Sequence, residues 1–129
     1  MSLKSNELLI ISYCNYFYRE IALNWVEALS RLGIKNYLIF SIDEKCHDFL
    51  KKKGVNSRLH IIEGLPEKQA QGGLTRKMGM ERFVIIRSLL EDGMDVVYSD
   101  LDAVWTHDPL KKLCTFSDHH LVASTIRHS

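Results

Sequence analysis

The sequence has little of what marks several common protein classes. Its 129 residues hold three cysteines, widely spaced and without a Cys-x-x-Cys pair, which argues against a disulfide framework and against a thiolate zinc site. No apolar run reaches the roughly 18 residues that a membrane-spanning helix needs. Neither a Gly-x-Gly-x-x-Gly loop nor a Walker-type loop is present. Repeats and low-complexity tracts are also missing, so repeat architectures are excluded.

A surplus of charge of one sign is missing too. Lys and Arg number 17 against 16 Asp and Glu, for a net charge of +1. This balance gives no electrostatic reason to expect nucleic acid or an anionic membrane as a partner. The first residues lack the basic region, long apolar core and cleavage site of a signal peptide. We therefore expect a soluble chain, cytoplasmic if it is complete and in the secretory-pathway lumen if an anchor has been removed.

What is present is the composition of one globular domain spanning residues 1–129, with 46% hydrophobic and 26% charged residues. Short apolar runs alternate with segments of helical periodicity, which predicts an α/β fold with a mostly parallel, Rossmann-like sheet and helices on both faces. The predicted strands are Glu7–Cys14, Asn36–Ile42, Arg58–Ile62, Met94–Ser99 and His120–Ile126. The predicted helices are Tyr18–Leu32, Glu44–Lys53 and Thr75 to about Leu90, with a long loop over Gly64–Thr75.

Ligands of such sheets bind beyond the carboxyl ends of the strands, so the residues that follow each strand are candidates. The first strand is followed by Asn15 and Tyr16, the second by Asp43, and the fourth leads through Ser99 into two carboxylates. Trp25 and Trp105 are expected to be core or wall residues. A nucleophilic Cys14 would need a nearby base, and the sequence shows none.

Asp100 and Asp102 are the most informative pair in the chain. In extended geometry two residues of this spacing point to one face, where their like charges repel unless a cation lies between them. Ligation by oxygen alone selects a hard ion such as Mn²⁺ or Mg²⁺. Such ions take remaining ligands from substrate phosphates, so the pair points to a phosphate-bearing substrate.

The segment that holds this pair, DVVYSDLDAVWTHDPL, resembles the signature of the nucleotide-diphospho-sugar transferase family. These are glycosyltransferases of the GT-A fold, and they include plant xylosyl- and arabinosyltransferases. The matching features are the Asp-x-Asp, the Val104-Trp105 pair and Asp108-Pro109. The upstream segment YCNYFYREIALNWVEALSRLGIKNYLIFSID is similar to the first strand, helix and second strand of the family.

The resemblance implies a GT-A-like fold in which Asp100 and Asp102 bind Mn²⁺ or Mg²⁺ on the diphosphate of a nucleoside diphosphate sugar, with a UDP-sugar expected. It places Cys14, Asn15 and Tyr16 near the base and ribose and turns Asp43 toward the nucleoside. A basic residue on the helix before the Asp-x-Asp strand would face the diphosphate, with Arg82 preferred over Lys77; Ser99 joins the donor-binding set as the residue before Asp100. The expected acceptor is a hydroxyl of a glycan or a protein.

The extent of the transferase and several other interpretations remain open at this point. Only 27 residues follow Asp102, so the chain is expected to be the nucleotide-binding half of a longer transferase, incomplete at its C-terminus. It could instead be a non-catalytic nucleotide-sugar-binding module, or a homo-oligomer that pairs through an exposed sheet edge. A phosphatase of the haloacid dehalogenase type also has an Asp-x-Asp after an apolar strand. That family needs a later Lys and an adjacent acidic pair, and the latter is absent from the remaining residues.

Overall fold

A computed structural model describes residues 8–73 and 75–115 of the chain. The strands are β1 Leu8–Cys14, β2 Tyr37–Ser41, β3 Ser57–Leu59 and β4 Asp95–Tyr98. They form one sheet in the order β3-β2-β1-β4, and all three pairings are parallel. The predicted parallel sheet is therefore confirmed over the described residues, with β1 paired on both sides.

Helices cover both faces of this sheet, as predicted. The helices are α1 Arg19–Arg31, α2 Glu44–Lys52, α3 Glu67–Gln71, α4 Arg76–Glu91 and α5 Leu110–Cys114, and a single 3-10 turn, Tyr16–Tyr18, precedes α1. On one face Ile10 packs with Trp25 of α1 and Leu50 of α2. On the other face Ile11 packs with Ile85 and Leu89 of α4. Neighbouring residues of β1 thus serve opposite cores, because side chains alternate along a strand.

The strand order reverses at β1. The chain moves outward from β1 to β2 and β3, and α4 then carries it back across the sheet so that β4 pairs with the free side of β1. Open α/β sheets bind ligands at such a reversal, beyond the carboxyl ends of the two strands that flank it. Here those ends are Cys14 and Tyr98.

Most predicted boundaries agree with the described structure to within one residue, and two predictions differ by more. The third strand ends at Leu59 rather than Ile62, because Ile62 leaves the sheet and packs against Ile42 and Met78. The predicted loop after Gly64 contains α3, which buries Ala70. The predicted fifth strand, His120–Ile126, lies outside the described residues.

Local signals account for the helix boundaries. Asp43 and Thr75 accept hydrogen bonds from backbone N–H groups in the first turns of α2 and α4, as capping residues do. Gly33 follows α1 with φ +74°, a conformation that side chains other than glycine rarely adopt. Asp108 accepts a hydrogen bond from Leu110 N at 2.9 Å, so the Asp-Pro turn starts α5. None of the helices in the two described ranges is long and apolar enough to cross a bilayer.

We predict that Ile10→Ala lowers the free energy of unfolding by about 2–5 kcal/mol, because Ile10 is fully buried in the central strand. Urea denaturation followed by circular dichroism measures the change. Val104→Ala is the control, since Val104 is 59% exposed, and it should shift the free energy by no more than about 0.5 kcal/mol. Equal losses in the two variants would contradict the assigned core.

Candidate functional site

A cavity of about 350 Å³ opens where the sheet order reverses. Its walls come from the ends of β1 and β4, the first turns after them, and the middle of α4. The lining residues are Tyr13, Cys14, Asn15, Tyr18, Ile21, Arg82, Tyr98, Asp100, Leu101 and Asp102. The structure thus brings together five residues of the predicted set: Cys14, Asn15, Arg82, Asp100 and Asp102.

Asp100 and Asp102 both line the cavity, although not in the extended geometry that the sequence analysis assumed. Leu101 and Asp102 lie in a turn, which Ala103 N closes by donating to Asp100 O at 3.0 Å. Both carboxylate side chains are exposed. No ion pair shorter than 4.0 Å among residues 8–73 and 75–115 includes either of them. Their charges are therefore available to a ligand.

Ser99 does not line the cavity but holds this turn in place. Its hydroxyl accepts hydrogen bonds from the indole N–H groups of Trp25, at 3.3 Å, and Trp105, at 3.0 Å. The same hydroxyl donates to Asp100 O at 3.3 Å, and Ser99 N continues the β1–β4 ladder by donating to Ile11 O. Ser99 thus joins the core beneath α1 to the Asp-x-Asp turn, and these contacts give it a positioning role. Its predicted contact with the donor stays a prediction.

Asn15 lines the cavity with both ends of its amide occupied. Its Oδ1 accepts from Tyr18 N at 3.2 Å, and its Nδ2 donates to Gly72 O at 2.6 Å. The side chain is 1% exposed. Asn15 therefore starts the 3-10 turn and fastens the segment after α3 to the end of β1.

Tyr16 and Asp43 lie away from the cavity wall. Tyr16 N donates to Asp43 Oδ2 at 2.9 Å, and Cys46 N donates to Asp43 Oδ1 at 2.7 Å. The Tyr16 ring lies under the Arg19 guanidinium, 4.0 Å from its central carbon. Asp43 is 2% exposed and borders a separate cavity of about 270 Å³ beside α3. Both residues fix the ends of β1 and β2 relative to each other.

Of the two candidates for a basic residue that faces the diphosphate, Arg82 lines the cavity and Lys77 does not. Lys77 is exposed and places its ammonium group against Gly64. The positions differ by five residues, more than one helical turn, so they face different directions on α4.

Tyr13, Tyr18 and Tyr98 are lining residues that sequence reasoning missed. Tyr13 is the residue before the last of β1 and Tyr98 is the last of β4. Both lie on the face opposite the main core, with ring centroids 6.4 Å apart and planes at 25°. Burial raises the pKa of both phenols; Arg82 lowers the pKa of Tyr13, and the Asp100 carboxylate raises that of both. The hydroxyls therefore remain protonated donors at neutral pH. The sequence signal that could have indicated Tyr13 and Tyr98 was a tyrosine near the end of an otherwise mostly aliphatic strand.

Cys14 lines the cavity as an inert thiol. It is 2% exposed, and its Sγ–H donates to Asn15 O at 3.1 Å. A hydrogen bond with Cys46 and burial raise the pKa of Cys14 far above its ordinary value. A thiol held protonated in this way is a poor nucleophile.

The two carboxylates suit a hard divalent cation by the chemistry of their oxygen donors. In the ranges 8–73 and 75–115, no group of three or more His, Cys, Asp and Glu side chains could hold a metal ion. Two side chains supply only part of a coordination sphere, so a cation bound here would take its other ligands from water or from a ligand. His119, His120 and His128, which are possible metal ligands by residue type, lie outside the described residues.

Comparison with known proteins identifies related sequences. The sequence model of the nucleotide-diphospho-sugar transferase family matches residues 32–127. Arabinosyltransferase XEG113 of Arabidopsis thaliana is 29% identical over 93% of this chain, and beta-arabinofuranosyltransferase RAY1 of the same plant is 23% identical over 93%. A UDP-galactose:fucoside alpha-3-galactosyltransferase of Dictyostelium discoideum is 25% identical over 83%. The chain spans only about a fifth of each relative: 19%, 23% and 21% of their lengths.

We predict that Ser99→Ala lowers the free energy of unfolding by about 1–3 kcal/mol, because it leaves the buried indole N–H of Trp25 without its acceptor. Ser12→Ala is the matched control. Ser12 Oγ is buried and has no hydrogen-bond partner among the described residues, so removing it should be neutral or stabilising. Urea denaturation measures both. A Ser12 variant as unstable as the Ser99 variant would refute the role given to Ser99.

The protonated state of Cys14 predicts its reactivity. At pH 8 in the folded protein, iodoacetamide should modify the half-buried Cys114 well before the buried Cys14 and Cys46, since alkylation needs an accessible thiolate. Mass spectrometry of peptides after timed quenching measures the order. Unfolding in urea should remove the difference, and early labelling of Cys14 without urea would contradict the assignment.

Proposed function

Because this chain belongs to the nucleotide-diphospho-sugar transferase family, we propose that its cavity binds a nucleoside diphosphate sugar for glycosyl transfer to a hydroxyl acceptor. The observation that carries the proposal is the meeting of Asp100, Asp102 and Arg82 in one cavity at the reversal of the sheet order. Two unpaired carboxylates and a guanidinium suit a diphosphate bound together with a divalent cation.

The donor proposed is a UDP-sugar. The name of the Dictyostelium relative specifies UDP-galactose, and we extend the nucleotide, but not the sugar, to this chain. The acceptor proposed is a hydroxyl of a glycan or a protein. A phosphatase reaction, the alternative raised by the Asp-x-Asp alone, has no support from family membership.

Asp100 and Asp102 would hold Mn²⁺ or Mg²⁺, which would neutralise charge on the diphosphate as the bond to the sugar breaks. Arg82 acts on the same charge from the α4 side, and a guanidinium forms charge-assisted hydrogen bonds to phosphate oxygens. Tyr13 and Tyr98 line the same cavity and carry neutral hydroxyls. Charge stabilisation of the leaving group is the contribution that such fixed groups make to transfer.

A non-catalytic module that binds the same donor is the second candidate. It needs only the groups that line the described cavity, two carboxylates and a guanidinium, which suit a bound diphosphate with a cation. Transfer or hydrolysis of a radiolabelled UDP-sugar by the chain separates the two candidates, since a binding module retains the donor unchanged.

We predict that UDP binds in the presence of Mn²⁺ and that Asp100→Asn and Asp102→Asn each weaken this binding at least about tenfold. Each variant removes one anionic oxygen ligand without changing side-chain size, and hard cations depend on such ligands. Isothermal titration of UDP, with and without Mn²⁺, measures the effect.

Asp95→Asn is the matched control, because Asp95 is an exposed carboxylate at the opposite end of β4. Its affinity for UDP should equal that of the original protein. Normal UDP binding by both Asp100→Asn and Asp102→Asn would refute the proposed site, and so would a comparable loss in Asp95→Asn.

A further inference from the structure

Arg82 supplies the positive charge among the described residues that line the cavity. An arginine side chain is long and flexible, so its usefulness to a ligand depends on what fixes the guanidinium. Two aromatic rings lie beside it. The central guanidinium carbon is 4.9 Å from the ring centroid of Phe83 and 5.9 Å from that of Tyr98.

The two rings differ in how firmly they are held. Phe83 is 52% exposed on α4, so few contacts restrain its ring. Tyr98 is the last residue of β4, in register with Ile11 of the central strand. Its ring stacks on Tyr13 at 6.4 Å. Tyr98 is therefore the rigid partner of Arg82.

The electrostatics agree with this contact. Burial raises the pKa of Tyr98, and Asp100 and Tyr13 raise it further, while a hydrogen bond and the positive charge of Arg82 lower it. The geometric basis of the contact is the 5.9 Å between the guanidinium carbon and the centre of the Tyr98 ring, which is within the range of a cation–π interaction. A cation held against an anchored ring has fewer orientations than a solvated one.

We propose that Tyr98 is a positioning residue that holds the Arg82 guanidinium toward the diphosphate and so sets the preference of the cavity for a diphosphate over a monophosphate. The inference rests on the proposed function, because it assumes that the cavity binds a nucleotide. It assigns to Tyr98 an effect that acts through Arg82, not a contact with the ligand's base or sugar.

The physical reason is preorganisation. A guanidinium that is already oriented loses less conformational freedom when it binds phosphate oxygens. A diphosphate carries more charge and more acceptor oxygens than a monophosphate. If the Arg82 guanidinium loses its fixed orientation, the affinity of the protein for UDP should therefore fall more than its affinity for UMP.

The test is the ratio of UDP to UMP affinity, measured by isothermal titration in the presence of Mn²⁺. Tyr98→Leu removes ring and hydroxyl, and the ratio should fall about tenfold, the loss expected for one charge-assisted hydrogen bond. Tyr98→Phe keeps the ring and the packing on Tyr13 and should lower the ratio about threefold. Tyr98→Phe also tests the proposal if the Tyr98→Leu variant does not fold.

A double-mutant cycle separates positioning from general damage to the structure. If Tyr98 acts through Arg82, the Tyr98 substitutions should leave the ratio unchanged in an Arg82→Ala background. Tyr37→Leu is the control, because Tyr37 is a half-buried tyrosine that packs on Trp25 on the other face of the sheet. It should alter stability without altering the ratio.

The outcomes distinguish the two proposals. Failure of the original protein to bind UDP in Mn²⁺ would overturn the proposed function. If the original protein binds UDP, an unchanged ratio in Tyr98→Leu and Tyr98→Phe would overturn only the positioning role. The positioning role would also be overturned if the Tyr98 substitutions lowered the ratio equally in the original protein and in the Arg82→Ala background.

Discussion

The candidate site depends on the hydroxyl of Ser99, which accepts from two tryptophan indoles at once. One indole, from Trp25, lies fully buried in the core beneath α1; the other, from Trp105, follows the Asp-x-Asp turn. Each hydrogen bond alone contributes only about 1 kcal/mol. Their joint effect is geometric, because they attach the turn that carries Asp100 and Asp102 to the buried core around Trp25.

The sheet order makes that attachment useful. Since β4 pairs with the free side of β1, the turn after β4 lies beside the turn after β1, and α4 passes over the same place from the opposite face. Three separate stretches of chain thus converge on one cavity. The groups there belong to residues far apart in sequence, and only the reversal of strand order brings them together.

Apolar patterns predicted β1, β2, β4 and the three longer helices because those patterns are local consequences of burial. The end of β3 was mispredicted because Ile62 is buried by Met78, a tertiary contact that looks the same in sequence as burial in a sheet. The sequence analysis predicted Tyr16 at the site and did not predict Tyr18, whereas Tyr18 lines the cavity and Tyr16 does not. Both residues lie in the 3-10 turn after β1, which changes the direction of their side chains. No pattern of two or three residues reports such a redirection.

Polar residues at strand ends have two possible roles, and spacing alone does not separate them. Asp43 and Asn15 both follow buried strands, yet their side chains are occupied by backbone partners. Asp100 and Asp102 are exposed and form no ion pair among the described residues. Together with Arg82 they give the described lining of the cavity one net negative charge. Under the proposed function, that charge opposes a diphosphate alone and favours a divalent cation. Cation and diphosphate should therefore enter this cavity as a coupled pair, each offsetting the charge that would exclude the other.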